Sequence, residues 1–354
     1  REKGRNKRDK MGKFLRDKEG NPIKSPGILK SCKAVGWYIE EYNLAQISMN
    51  LTDFDITPPH VAFEETRKQA RKRGVRVIGS ELVGLIPLDA IIAAGRYYLK
   101  EQHCSIGIPT KDIIHIAVKS MGLDDLSPFD PNEKIIEYRI KDLYGPLASK
   151  TVHAFADELS SNSPAPGGGS VSALAGALAA SLAAMVANLT FGKKEWDPLY
   201  DQMCKISQDS QALKEELLNL IDADSDAFNH VLDAYKLPQK TEDQVSIRNN
   251  AIDKAMKAAS NIPFRTLQCC RDVINYAHQT AKMGNPNSIS DAGVSAELAY
   301  AGAMGASLNV KINLKEIDNK QYCQKMQKQT SILIKETEHV LALVRRTVSK
   351  KNKQ

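Results

Sequence analysis

Between residues 211 and 232, Leu213, Leu217, Ile221, Phe228 and Val231 recur at helical spacing along one stripe, and Asp224 falls within it. A carboxylate facing an apolar layer is costly to bury unless it is paired or protonated. Desolvation raises its proton affinity toward the range in which protons are usefully exchanged near neutral pH. Asp224 is therefore the candidate acid–base residue. The same position also suits a buried aspartate satisfied by a backbone or lysine partner, and periodicity alone does not separate the two readings. At about 100° per residue, Asp222 and Asp226 fall on the opposite face with Glu215, Asn219 and Asn229, and read as ordinary surface carboxylates. His230 lies about 120° from the stripe by the same geometry and reads as a surface residue.

Two loops could hold a ligand against such an acid. Ser163-Pro164-Ala165-Pro166-Gly167-Gly168-Gly169-Ser170 runs directly into a helix of small residues, and free backbone N–H groups at a helix start attract anions or polar ligand edges. Gly167, Gly168, Gly169 and Ser170 are its candidate binding residues, although helix capping alone would also explain them. No Gly-Lys-Ser/Thr follows the glycines, so this is not a nucleotide P-loop. Gly284-Asn285-Pro286-Asn287-Ser288-Ile289-Ser290-Asp291 precedes a second small-residue helix running to Asn309 and Asn313. Ser290 reads as an N-cap with Asp291 favourable in the first turn. Asn285, Asn287, Asn309 and Asn313 offer paired donors and acceptors suited to a heteroaromatic ring such as a pterin. Lys193 and Lys194 could meet an acidic tail of such a ligand, or be solvated like most exposed lysines. No zinc motif, Ser-His-Asp set or dinucleotide fingerprint is present, and no metal is expected.

The elements that must position these residues follow from pattern. With 354 residues, 42% hydrophobic and 26% charged, the chain can bury ordinary cores in two or three domains. The net charge of +7 sits at one end: residues 1–33 hold twelve Lys or Arg against four Asp or Glu, and read as a solvated, mobile basic start. Nucleic acid is therefore not an expected partner. Six scattered cysteines with no framework spacing suggest reduced thiols in a cytosolic protein. The chain opens on Arg1 without a signal pattern, which suggests a fragment or truncated product.

Alternation over 33–56 predicts a half-buried strand, with Ala45, Ile47, Met49 and Leu51 on one side. Thr57 before two prolines predicts an N-cap, Gly74 a helix end, and 75–78 a short strand. Helices follow Pro87 and Thr110, the latter ending at Gly122. Residues 1–138 thus read as a small α/β unit, 139–146 as a linker, and 147–354 as an all-α antiparallel bundle, giving an α+β chain. Breaks are expected at 164–169, 191–196, 237–239, 284–287 and at Pro263. The uncharged run 171–189 has the length of a membrane span, but its Ala, Ser and Gly favour close helix packing at the bundle centre or a subunit interface over insertion.

The chain resembles the formimidoyltransferase-cyclodeaminase family. In the second part the resemblance rests on Ala165-Pro166-Gly167-Gly168-Gly169-Ser170-Val171, on Ile221-Asp222-Ala223-Asp224 with Ala227-Phe228, and on Asn309-Val310-Lys311-Ile312-Asn313-Leu314. In the first part Gly36-Trp37-Tyr38, Asn43-Leu44-Ala45-Gln46 and Gly79-Ser80-Glu81-Leu82-Val83-Gly84-Leu85-Ile86-Pro87-Leu88 look like the C-terminal half of the transferase domain. The resemblance implies folate-dependent histidine breakdown, in which 5-formimidoyltetrahydrofolate is converted to 5,10-methenyltetrahydrofolate and ammonia, with Asp224 as the acid–base residue. It also implies a tetrahydrofolate substrate, polyglutamated, with no metal. The domains are expected to dimerise, within a larger ring in full-length enzymes, with a cytosolic location and Golgi, centrosome or cytoskeleton association in animals. The family's transferase histidine has no counterpart at His60, His103 or His115, so glutamate formimidoyltransferase activity is not expected of this chain. A methenyltetrahydrofolate cyclohydrolase and a non-catalytic oligomeric scaffold are the rival readings.

Overall fold

In the computed structural model, which describes residues 4–41, 43–140 and 145–352, the chain divides into two units. The first comprises the described residues up to 102 together with 110–140, and the second comprises 103–109 and 145–352. Of the expected linker, residues 141–144 lie outside the described residues, and Arg139 and Ile140 close a short helix.

The basic start is not a featureless tail. Arg8-Asp9-Lys10-Met11-Gly12 and Arg16-Asp17-Lys18-Glu19-Gly20 are copies of one pattern eight residues apart, and each folds into a tight loop. Asp9 Oδ1 accepts the N–H groups of Met11 and Lys13 at 2.8 and 2.9 Å, and Asp17 Oδ1 those of Glu19 and Asn21 at 3.0 and 2.8 Å. These are aspartate turns closed by glycines at φ 83° and 84°. A ring of backbone bonds ties the copies together: Lys7 N–H to Ile23 O, Ile23 N–H to Leu15 O, and Leu15 N–H to Lys7 O. Strands β1 (Arg5–Asn6) and β2 (Lys24–Ser25) pair antiparallel at the base.

The expected single strand over 33–56 is a hairpin, β3 (Cys32–Ile39) against β4 (Leu44–Leu51), with Asn43 at φ 53° in its turn. Helix α1 (Pro59–Arg71) starts after Pro58, while the Thr57 hydroxyl donates to Lys30 O at 2.6 Å instead of capping the helix. The strand expected at 75–78 does not form; Val75 and Ile78 are exposed and find no partner strand. Helices α2 (Leu88–Glu101), α3 (Thr110–Met121), α4 (Pro131–Lys134) and α5 (Ile136–Ile140) follow, with Ile91, Ala94, Ile114, Ala117 and Ile135 at the core. Both named sheets are antiparallel pairs, so among the described residues the parallel layer of an α/β unit is replaced by hairpins beside helices.

The second unit is helical: α6 (Val152–Leu159), α7 (Gly168–Asn188), α8 (Tyr200–Tyr235), α9 (Glu242–Met283), α10 (Ile289–Asn313) and α11 (Lys320–Lys351). Helix α7 is central and packs on α8, α9 and α10. By length and composition it could cross a membrane, yet 61% of its most apolar stretch is buried in the bundle. Its small residues let backbones approach closely: a Cβ on Gly176 would lie 2.8 Å from Cys270 Sγ, and Ser295 on α10 donates to Ala179 O at 2.7 Å. Helices α8 and α9 run antiparallel, as Glu216–Arg265 and Asp209–Tyr276 show, and so do α10 and α11, where Gly293 faces Val348 and Glu297 pairs with Arg345.

Two expectations fail here for identifiable reasons. Asp222 is buried, with Oδ1 accepting the Leu147 N–H at 2.7 Å and Oδ2 the Ala148 N–H at 3.0 Å. Helix α8 is covered on both sides, so the face opposite the stripe is not solvent at this level. Asp226, one turn on, is exposed, as is His230. Pro263 does not break α9. Proline cannot donate to the carbonyl four residues back, which would orphan Ala259 O. Asn313 Nδ2 donates to that oxygen at 2.8 Å, replacing the missing backbone bond. Substituting Asn313 with Ala should cost about 1–2 kcal/mol of unfolding free energy. The cost should shrink in a Pro263→Ala background, where residue 263 regains its own N–H. Urea denaturation of the four variants in the cycle measures it, and an equal cost in both backgrounds would refute the pairing.

Candidate functional site

The N-terminus of α7 is an unusual helix start, because its capping residue, Gly167, has no side chain to accept the orphan N–H groups of the first turn. The acceptor comes from another helix. Asp224, three residues past Ile221 on α8, accepts the Ser170 hydroxyl, 3.3 Å from Oδ2, and the Ser170 backbone N–H also favours its charged form. Gly169 allows this approach: a Cβ there would sit 2.1 Å from Asp224 Oδ1. The glycine at 169 is thus explained by the carboxylate it accommodates.

The hydroxyl of Ser170 also lies 2.8 Å from Ile221 O and 3.3 Å from Ser225 Oγ. Ser170 and Ser225 are both buried. Asn309 of α10 flanks the same turn; a Cβ on Gly168 would lie 3.5 Å from its Nδ2, which donates to Gly305 O. Burial lifts the proton affinity of Asp224 above the ordinary aspartate value of 3.8, opposed by the two hydrogen bonds from Ser170. No charged side chain acts on it among the described residues. The arrangement is a carboxyl held by neutral donors at one end of a bundle, able to take up and give back a proton.

The other expected binding residues fall elsewhere. Asn313 is at this end of α10 but is engaged with Ala259 O. Asn285 donates to Leu189 O at 3.1 Å, its N–H donates to Thr190 Oγ1, and its Oδ1 accepts the Asn287 N–H. This fastens the loop to the C-terminal end of α7, and the 21 residues of α7 put about 30 Å between its two ends. Asn285, Asn287, Ser290 and Asp291 are therefore not within reach of Asp224 in this chain. Ser290 is exposed in the first turn of α10 and is not its cap; Ser288 holds that position. Lys193, over the Trp196 ring, lies just past the same end of α7. Ser225 was not singled out by sequence, although it follows Asp224 directly and falls on the buried side of α8. Among the described residues no group of three His, Cys, Asp or Glu side chains is placed to hold a metal ion.

The titration of Asp224 has a stability consequence. Its folded-state proton affinity is raised, so its contribution is most favourable below pH 3.8 and is lost as the pH climbs from there through the raised value. Asp224→Asn keeps an oxygen for the Ser170 hydroxyl and removes the half-buried charge. The variant should therefore melt above the parent at pH 7, and the two should converge in acid. Thermal melts across that range test this, and a lower melting temperature for the variant at pH 7 would contradict it.

Residues 151–331 match the family model described as formiminotransferase-cyclodeaminase, and residues 1–141 match the model of the formiminotransferase domain. The chain is 37% identical over 92% of its length to formimidoyltransferase-cyclodeaminase of Rattus norvegicus, of which it spans 60%. A methenyltetrahydrofolate cyclohydrolase of Methylorubrum extorquens is 36% identical over 57% of this chain and 98% of its own length. The crystal structure of formiminotetrahydrofolate cyclodeaminase from Thermotoga maritima superposes with a TM-score of 0.53 at 28% identity, covering 57% of this chain and 97% of that one. With an antiparallel bundle built around a glycine-opened helix, a family match from its first helix into α11, and a second match through the hairpin unit before it, this chain belongs to the formiminotransferase-cyclodeaminase family.

Proposed function

We propose that the helical unit is a formimidoyltetrahydrofolate cyclodeaminase, with Asp224 as its acid–base residue. The observation that carries this reading is the half-buried Asp224 carboxyl at the opening of α7, held by Ser170 and, among the described residues, without a cationic partner. Ring closure requires the linker nitrogen of the folate to attack the formimidoyl carbon, giving a tetrahedral centre from which ammonia departs. Two proton transfers accompany it. Asp224 accepts the proton of the attacking nitrogen and returns a proton to the leaving amine, so one group of raised proton affinity serves both steps. The first-turn backbone at Gly168 and Gly169 and the Asn309 side chain lie beside it and are the groups assigned to orient a folate. The tetrahydrofolate is substrate and carrier, and a polyglutamate tail extends outward from the site.

The cyclohydrolase reading has one specific support, the Methylorubrum extorquens relative that spans nearly its whole length within the bundle. The same carboxyl would then activate water for ring opening. Methenyltetrahydrofolate formation from synthetic formimidoyltetrahydrofolate, followed by absorbance with ammonia assayed in parallel, separates the two. The parent should release ammonia stoichiometrically, and Asp224→Asn should lose about 10²- to 10⁴-fold in turnover. Full turnover by the variant would remove Asp224 from the chemistry.

The helical unit is further proposed to pair with a second copy. Val171, Leu178 and Met185 recur every seven residues on the uncovered side of α7, and Val294, Leu308 and Ile312 are exposed on α10 beside it. An exposed apolar face of this kind suits pairing with its own copy about a two-fold axis. Leu178→Asp combined with Leu308→Asp should convert a dimer to a monomer in light scattering; an unchanged mass would show that this face is not the contact.

A further inference from the structure

The Ser170 hydroxyl has one proton and three acceptors within reach: Ile221 O at 2.8 Å, Asp224 Oδ2 at 3.3 Å and Ser225 Oγ at 3.3 Å. Neither serine is accessible to solvent to any useful degree, at 0% and 8% exposure, so water does not easily take over their bonds. The Ser170 backbone N–H also favours the charged form of the same carboxyl. Such a hydroxyl has two stable orientations, and which of them is lower in energy depends on the charge of Asp224.

Resting on the acid–base reading above, we propose that Ser170 and Ser225 form a hydroxyl switch that positions Asp224 and lets it alternate between ionised and protonated states. When Asp224 is ionised, Ser225 O–H donates to Ser170 Oγ and Ser170 O–H donates to Asp224 Oδ2. When Asp224 has taken the proton of the attacking nitrogen, its own O–H donates to Ser170 Oγ, and the Ser170 hydroxyl turns to Ile221 O. No proton leaves the serines in either direction. The proton gained comes from the attacking nitrogen, the proton returned goes to the leaving amine, and the hydroxyls only rotate.

Both states are then fully hydrogen-bonded, which a fixed donor such as a backbone N–H alone cannot provide for a protonated carboxyl. The charge environment suits a switch of this kind. Among the described residues, no charged or titratable side chain of α7, α9 or α10 acts on Asp224, and the contributions opposing its burial come from Ser170. A cation in the site would pin the carboxylate in one state. Ser170 and Ser225 are positioning residues in this scheme, acting through Asp224 and not on the folate.

The test reads Asp224 directly, by carbon NMR titration of aspartate carboxyls in the folded full chain, with Asp224→Asn to assign the resonance. The pH dependence of turnover is measured alongside. Ser170→Ala should move the Asp224 midpoint upward by about one pH unit, the equivalent of one charge-assisted hydrogen bond. Ser225→Ala should move it in the same direction by less. The limb of the turnover profile that reports Asp224 should follow, with KM within twofold of the parent. An unmoved midpoint in a folded Ser170→Ala protein overturns the switch, as does a loss confined to KM. Failure of the cyclodeaminase reading is separate: full turnover by Asp224→Asn would sink that reading, while the NMR midpoints would still decide whether the two hydroxyls govern the carboxyl.

Discussion

A helix that opens on glycine leaves its first amides without a local acceptor, and the fold of the helical unit depends on how that need is met. At α7 it is met by the Asp224 carboxylate reaching across from α8. The bond joins two helices at the level where their antiparallel packing begins, and it dictates the side chains around it. Residue 169 can carry no Cβ, residue 170 must donate, and the opening of α7 must stay clear of competing charge. A carboxylate at a helix N-terminus is favoured by the aligned backbone dipoles, while its burial disfavours the charge. Burial prevails, and the group is held with its proton affinity raised. The structural cap and the acid–base candidate are one residue.

The small-residue character of α7 extends the same constraint along the bundle. Alanine, glycine and serine allow α8, α9 and α10 to approach the α7 backbone, so that Ala173, Ala177, Ala180 and Ala184 are almost wholly buried. The bundle gains little apolar area from each such residue and relies on the number of close contacts instead. Larger side chains on α7 would separate the helices and draw Asp224 away from the Ser170 amide. Rigid spacing thus serves the geometry of a site that tolerates little displacement.

Much of this was legible in sequence, and the failures share a cause. Helical periodicity placed Leu213, Leu217, Ile221 and Val231 inside, because one partner layer decides that face. It misplaced Asp222, since α8 is covered again on its far side by residues 145–148, a segment with no periodicity to announce it. Asn313 looked like a ligand residue because its type and spacing suit one; its work is to replace the N–H that Pro263 lacks, a pairing fifty residues apart in the chain. Asn285 and Asn287 looked adjacent to the glycine loop only by analogy of composition, and an antiparallel fold sends them to the other end of α7. The N-terminal repeat was missed for a different reason. Its order comes from aspartate turns and backbone bonds, and hydrophobic periodicity carries no signal for either.

In the role proposed for Asp224, a carboxyl of this kind would account for how one bundle can serve two related reactions. Expelling ammonia from a tetrahedral carbon and adding water to a methenyl carbon each require a group that accepts a proton at one stage and gives it back at another. Neither requires a permanent charge beside it. A carboxylate paired with lysine or arginine would be held ionised and would return its proton poorly. One surrounded by neutral donors, as proposed for Asp224, would do both. The two reactions differ in what enters and leaves, so on this reading selectivity would belong to the groups that position the folate and admit or exclude water. That separation is consistent with a helical unit that matches a cyclohydrolase and a cyclodeaminase each across nearly their full lengths.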